Sequence, residues 1–297
     1  MTAVRHEETT MNESWTDERG EPIDEEDRGL VYDVRTLIDR RRALGIFGGA
    51  SLTALLAACS SPSAAGPTAS ASASAPAAAT PTPSSSASGP IQEIPDETGG
   101  PFPGDGSNGV NVLDDSGIVR SDIRSSFGAS TTTAEGVPLT IRLAVRDAAT
   151  GSALVGAAVY VWHCDRAGLY SLYSGGVENE NYLRGVQEVG ADGSVVFTSI
   201  FPGCYAGRWP HVHFEVYADV ATAVASGPIV KTSQLALPKE ADDAVYATAG
   251  YEQSVRNLAQ LSLASDMVFG DDGGIHQLAT MSGSVEAGYT AALTIGV

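Results

Sequence analysis

The chain has 297 residues, and its 36 acidic and 17 basic side chains give it a formal net charge of −19. A chain this acidic is poorly suited to neutralising phosphates, so we expect no nucleic-acid partner. Its 33 Gly and 15 Pro, with 18% charged residues, argue against coiled coils and helical bundles and favour a loop-rich β protein.

Residues 1–58 have the pattern of an export signal. A basic cluster, Arg40 to Arg42, precedes an apolar run that ends at Ala58 and is too short to span a membrane comfortably. The consecutive arginines and mild hydrophobicity resemble a twin-arginine signal, and Leu-Ala-Ala-Cys at 56–59 resembles a bacterial lipobox. We therefore predict that Cys59 is acylated and anchors an exported protein to the outer face of the cell membrane. The alternative is an amphipathic helix with a buried cysteine.

The next segment, 59–90, predicts a disordered tether. After the anchor it consists of Ser, Ala, Pro, Thr and Gly without a charged side chain. Such a composition buries too little apolar area to offset the entropy lost on ordering. The lipid anchor is then the only expected contact with the membrane.

Residues 91–297 predict one mainly β domain, an antiparallel sandwich with long loops and little helix. Apolar side chains alternate from Leu139 to Val145. Further strands are predicted at 155–162, 194–200 and 212–216, separated by Gly, Asp and Pro turns. Only the range 241–261 favours a short helix.

The residues with the most distinctive chemistry lie between 162 and 214. His211 and His213 would share one face of a strand, where two imidazoles can converge on a metal ion. Such a His-x-His pair also occurs by chance. Its context strengthens the metal hypothesis, because Tyr170 and Tyr205 lie nearby, each two residues after a glycine.

Six short motifs stand out in the domain: Gly-x-Tyr at 168–170, Tyr-Leu-Arg-Gly at 182–185, Pro-Gly-x-Tyr at 202–205, Arg-x-x-His-x-His at 208–213, Glu-Thr-Gly-Gly-Pro-Phe at 97–102 and Thr-Ser-Gln at 232–234. Together they resemble those of the intradiol ring-cleavage dioxygenases, the catechol and protocatechuate dioxygenase family. The short interval from Tyr205 to His211 is similar to that of the compact, exported branch of this family.

The resemblance implies one non-haem Fe(III), bound by Tyr170, Tyr205, His211 and His213. Anionic phenolate oxygens suit a hard ferric ion, and four protein ligands leave room for substrate. The family's reaction uses O2 to cleave a catechol-type diol between its two hydroxylated carbons, giving a cis,cis-muconate-type diacid.

The resemblance also implies catalytic roles for three residues. Tyr205 would be the labile ligand, and Arg208 would stabilise negative charge that develops on the ring. Gln234 resembles the family's active-site glutamine, although a core amide fits it equally well.

Two other cysteines flank the predicted ligands. Cys164 and Cys204 would form a disulfide if they oxidise, as pairs in exported proteins commonly do, or remain two separate buried thiols. The sequence leaves both outcomes open.

Two alternative functions also follow from the sequence. The domain would be a lipid-anchored binding module for aromatic polymer or polysaccharide if iron were absent, or a zinc or copper enzyme if the histidines bound those metals. The complete set of two tyrosines and two histidines favours the iron enzyme.

Overall fold

The computed structural model describes residues 89–297, so the predicted signal, Cys59 and the tether up to residue 88 lie outside the described residues. The described part of the chain contains eight strands in two sheets of four. The strands are β1 (Pro138–Arg146), β2 (Ala158–Trp162), β3 (Arg184–Glu188), β4 (Ser194–Ile200), β5 (His211–Tyr217), β6 (Ile229–Ala236), β7 (Thr280–Ser284) and β8 (Gly288–Gly296).

The two sheets form a sandwich, which confirms the predicted fold class. One sheet has the strand order β4-β1-β8-β7 and the other the order β3-β2-β5-β6. Antiparallel pairing dominates, but β1 and β8 run parallel, so the first sheet is mixed rather than purely antiparallel.

The main core lies between the sheets and follows from period-two alternation. Leu139, Ile141 and Leu143 on β1 are buried there with Val212 and Phe214 on β5. The residues that alternate with Val212 and Phe214 on β5 are the two histidines, so these occupy the opposite face of their sheet.

That opposite face carries a second apolar cluster. Tyr160 and Trp162 of β2 lie on it, packed with Tyr170 and Tyr205 from the loops. Because Trp162 pairs with His213 in the β2–β5 register, both side chains project to this side. The second cluster therefore surrounds the predicted metal ligands.

The helical segments are short and lie outside the sheets. The predicted range 241–261 overlaps two helices, α2 (Lys239–Tyr246) and α3 (Glu252–Leu258), rather than one. They follow α1 (Val220–Val224), which Asp219 caps by accepting a hydrogen bond from the Thr222 amide. None of the helices described within residues 89–297 has the length and hydrophobicity needed to cross a membrane.

Candidate metal centre

The candidate metal centre begins with the two histidines of β5. Their Nε2 atoms lie 3.0 Å apart. Both residues are 2% exposed. The sequence-based prediction that the pair shares one face of a strand is confirmed.

Two loops bring Tyr170 and Tyr205 to the same point. The Tyr170 Oη lies 3.4 Å and the Tyr205 Oη 3.3 Å from the His211 Nε2. The two phenol rings meet edge to face, with centroids 5.8 Å apart. The structure therefore brings all four predicted ligands together, although they come from two loops and one strand.

Two glycines in the tyrosine motifs allow the loops to pack this closely. Gly168 has a φ of +87°, and a Cβ there would lie 3.2 Å from the Cβ of Tyr205. A Cβ at Gly203 would lie 2.7 Å from the carbonyl oxygen of Arg166. A larger residue at either position would separate the segments that carry the phenols.

The environment keeps both imidazoles neutral, as metal ligands must be. Burial, followed by the charge of Arg208, lowers the pKa of His211. Burial, followed by His211 itself, lowers the pKa of His213. The Nδ1 of His211 lies 2.5 Å from the Trp209 carbonyl oxygen, which assigns the proton to Nδ1 and leaves an Nε2 lone pair facing the cluster.

The two histidines are oriented in different ways. The Nδ1 of His213 is buried and has no hydrogen-bond partner. Its ring instead lies flat against the indole of Trp162, with centroids 4.9 Å apart and an interplanar angle of 4°. Stacking therefore takes the place of the second hydrogen bond that usually orients a ligating histidine.

The four donor atoms fit a hard, highly charged cation. Burial, followed by the neighbouring Tyr205, raises the pKa of Tyr170 well above its ordinary value, so the buried phenol needs a nearby positive charge to ionise. No group of three or more His, Cys, Asp or Glu side chains suited to a metal occurs within residues 89–297. Two phenol oxygens and two imidazole nitrogens form a donor set that suits such a hard cation.

Arg208 and Gln234 lie together next to the cluster. The Arg208 Nη2 donates to the Gln234 Oε1 over 2.6 Å, and the Gln234 Nε2 donates to the Thr98 carbonyl oxygen over 2.9 Å. Gln234 also pairs with His213 in the β5–β6 register. Both residues are fully buried, so Arg208 is not a solvent-exposed charge.

Asp266 neutralises Arg208 and was not predicted from the sequence. Its Oδ2 lies 3.1 Å from the Arg208 Nε, and both side chains are 0% exposed. Burial alone would raise the pKa of Asp266, but Arg208 and the backbone amides of Trp209 and Phe269 hold it below its ordinary value. The sequence signal was weak, because Asp266 lies in a segment without periodicity.

Glu97 forms a second buried polar group at the edge of β6. Its backbone amide donates to the Thr232 carbonyl oxygen, and its Oε1 accepts from the Gln277 Nε2 over 3.2 Å. Burial raises the pKa of Glu97 to about 7. The Glu-Thr-Gly-Gly-Pro-Phe motif at 97–102 therefore supplies a carboxyl group whose pKa is raised to near neutrality.

The disulfide considered between Cys164 and Cys204 is not formed. Both are free, buried thiols. The Cys164 Sγ is directed at the Gly203 carbonyl oxygen and the Cys204 Sγ at that of Arg208, so each thiol has its own acceptor. Of the two outcomes that the sequence left open, the structure has the separate thiols.

Comparisons with known proteins identify the fold. No protein-family model and no curated protein matches the chain. An intradiol ring-cleavage dioxygenase from Tetranychus urticae is similar, with a TM-score of 0.52 and 23% identity over 61% of this chain and 87% of that one. A second solved dioxygenase has a TM-score of 0.51 and 23% identity over the same shares of the two chains. The dioxygenase domain of a carbohydrate-binding fusion from Streptomyces sp. SirexAA-E has a TM-score of 0.43 and 21% identity, over 69% of this chain and 98% of that one.

The chain thus has the β-sandwich fold of the solved intradiol ring-cleavage dioxygenases. A shared fold does not by itself establish a shared reaction, so the activity has to be argued from the site.

Proposed function

We propose that this protein is a non-haem Fe(III)-dependent intradiol dioxygenase that acts on catechol-type diols. The observation that carries the proposal is the convergence of two phenol oxygens and the His213 Nε2 at 3.0–3.4 Å from the His211 Nε2. The reaction adds both atoms of O2 to the ring and opens it between the two hydroxylated carbons. Atoms balance, because catechol plus O2 equals the muconate-type diacid.

The four clustered residues would divide the work of binding the metal and the substrate protons. The Nε2 atoms of His211 and His213 are neutral donors, and the Tyr170 Oη is the permanent phenolate. Tyr205 is slightly more exposed than Tyr170, 6% against 2%, which supports its assignment as the ligand that gives way. Its Oη would then accept a proton from one hydroxyl of the diol.

Bound Fe(III) would act as a Lewis acid and accept electron density from the diol, which makes the ring reactive toward O2. The positive charge of Arg208 would stabilise negative charge that develops on the ring. Asp266 and Gln234 hold the guanidinium in place, so this group needs no reorganisation during the reaction.

The binding module for aromatic polymer or polysaccharide remains the alternative function. A binding module without a metal would leave the convergence of four buried ligand side chains unexplained. The test is to load the purified protein with iron and to measure visible absorption, O2 uptake and diacid formation with a panel of catechols. Iron binding with a tyrosinate charge-transfer band and stoichiometric O2 uptake would support the proposal. A colourless protein that retains sugar or polymer ligands would support the module.

Variants of the ligands sharpen this test. We expect His211→Ala and His213→Ala to lose iron, and Tyr205→Phe to keep some iron but turn over slowly. Tyr246→Phe is a matched control, because its buried hydroxyl donates to the Pro202 carbonyl oxygen rather than to one of the four ligands. Unchanged iron content and turnover in Tyr205→Phe and His213→Ala would contradict the four-ligand site.

We also propose that the enzyme is exported and anchored through an acylated Cys59. The support is the order of basic cluster, apolar run and small-residue site in residues 40–59. Cys59→Ala should move the protein from the membrane fraction to the soluble fraction. An intact Met1 on membrane-associated protein, found by mass spectrometry, would contradict the proposal.

A further inference from the structure

Arg184 is a buried cation whose hydrogen bonds all end on neutral oxygens. It is the first residue of β3 and is 1% exposed. Within residues 89–297 no carboxylate forms an ion pair with it. Its guanidinium donates to the Ser171 Oγ (3.0 Å), the Ser171 carbonyl oxygen (2.9 Å), the Phe102 carbonyl oxygen (2.9 Å), the Pro103 carbonyl oxygen (2.8 Å) and the Tyr160 Oη (3.1 Å).

Three of these contacts lead to Tyr170. Ser171 follows Tyr170 directly in the chain, and Arg184 binds both its hydroxyl and its carbonyl oxygen. Phe102 packs its ring against Tyr170, with centroids 4.9 Å apart. Arg184 thus holds both the backbone beside this phenol and the backbone of the residue whose ring packs against it.

Another contact leads to His213. The Tyr160 hydroxyl accepts from Arg184 and donates to the Pro103 carbonyl oxygen over 2.7 Å. The Tyr160 ring stacks on Trp162, with centroids 4.9 Å apart, and Trp162 stacks on His213. Because the His213 Nδ1 has no hydrogen-bond partner, this column of rings determines the orientation of the imidazole.

The backbone around Arg184 adopts conformations that need support. Leu172 has a φ of +73° and Leu183 a φ of +58°, and both are bulky residues in a region that favours glycine. One adjoins Ser171 and the other adjoins Arg184. Such conformations persist when surrounding contacts fix them, and the guanidinium supplies several of those contacts.

We propose that Arg184 is a positioning residue of the candidate iron site, which fixes Tyr170 relative to His213. This inference rests on the proposed function. A planar guanidinium can bind five acceptors in fixed directions, whereas a lysine ammonium has three donors and no fork geometry. The arginine is therefore needed for its shape as well as for its charge.

The test uses Arg184→Lys and Ser171→Ala, with Ser199→Ala as the matched control. Ser199 is also a fully buried serine, but its hydroxyl bonds the His163 Nε2 and none of the ligands. For each protein we would measure iron affinity by chelator competition, the maximum of the visible absorption band, and the melting temperature without metal. We expect iron affinity to fall roughly 10–100-fold in Arg184→Lys and about tenfold in Ser171→Ala, with a shifted absorption maximum.

A purely structural role gives a different pattern. It would lower the melting temperature of the metal-free variants and leave iron affinity and the absorption maximum as in the wild type. That result in Ser171→Ala, which keeps the guanidinium and is expected to fold even if Arg184→Lys does not, would overturn the inference. Failure of the wild type itself to bind iron or cleave diols would instead contradict the proposed function, so the two failures are distinguishable.

Discussion

Replacing Asp266 by Asn tests whether Arg208 depends on a buried counter-charge. The carboxylate accepts four hydrogen bonds, with the Arg208 Nε and the Trp209 amide on one oxygen and the amides of Val268 and Phe269 on the other. Asn keeps the shape of the side chain but removes its charge. It also turns one oxygen into an NH2 group, which faces donors instead of accepting from them.

The expected loss is large because neither partner has access to water. Removing one member of a buried ion pair costs about 3–5 kcal/mol, since the remaining charge stays buried. In a domain of this size each kcal/mol lowers the melting temperature by about 2–4 °C, so the expected shift is roughly 6–20 °C.

Urea denaturation of the metal-free protein at pH 7 measures this loss directly. Asp243→Asn is the control, because its ion pair with Lys239 is exposed by 55% and 58% on the two side chains. An exposed pair of this kind contributes about 0–1 kcal/mol. If Asp266→Asn destabilised the protein no more than Asp243→Asn, the argument that Arg208 depends on this carboxylate would be wrong.

Two of the three further predictions concern residues near the site, and the third concerns a helix cap. Burial raises the pKa of Glu97 from 4.5 to about 7, so the stability linked to its protonation is complete below pH 4.5 and is lost as the pH rises through 7. The loss is up to about 3 kcal/mol, and Glu97→Gln should remove it from urea titrations between roughly pH 5 and 8. Gly168→Ala should weaken iron binding in chelator competition, because the new Cβ would approach Tyr205 to 3.2 Å. Asp219→Ala should lower unfolding free energy by about 1 kcal/mol through loss of the cap, and leave iron affinity as in the wild type.

Local sequence patterns were sufficient to predict the strands that carry the core. The alternation from Leu139 to Val145 appears as β1, and the strand predicted at 194–200 is β4. The parallel pairing of β1 with β8 could not be predicted, because no local feature identifies which distant strand will lie alongside. Similarly, β7 has a mostly exposed pattern, without the buried alternation that a sequence can reveal.

The four candidate ligands were predicted because their short motifs resemble those of the intradiol ring-cleavage dioxygenases. Asp266 could not be predicted. It lies 57 residues beyond Trp209, from whose backbone amide it accepts a hydrogen bond, and its own segment has no motif. The tyrosine motifs also contained Arg184, but its contacts with Ser171 and Tyr160 depend on how three segments pack. Residue type gives the chemistry of a site, whereas long-range packing decides which groups support it.

The geometry of the site depends on the same strand that builds the core. On β5, Val212 and Phe214 face the other sheet while His211 and His213 face the opposite side. A shift of one residue in the pairing of β5 would bury the imidazoles between the sheets and expose the apolar side chains. The hydrophobic effect that fixes the register of β5 therefore also fixes the spacing of the two nitrogen donors. The phenols come from loops and need separate support, which Arg184 supplies to Tyr170 through its contacts with Ser171.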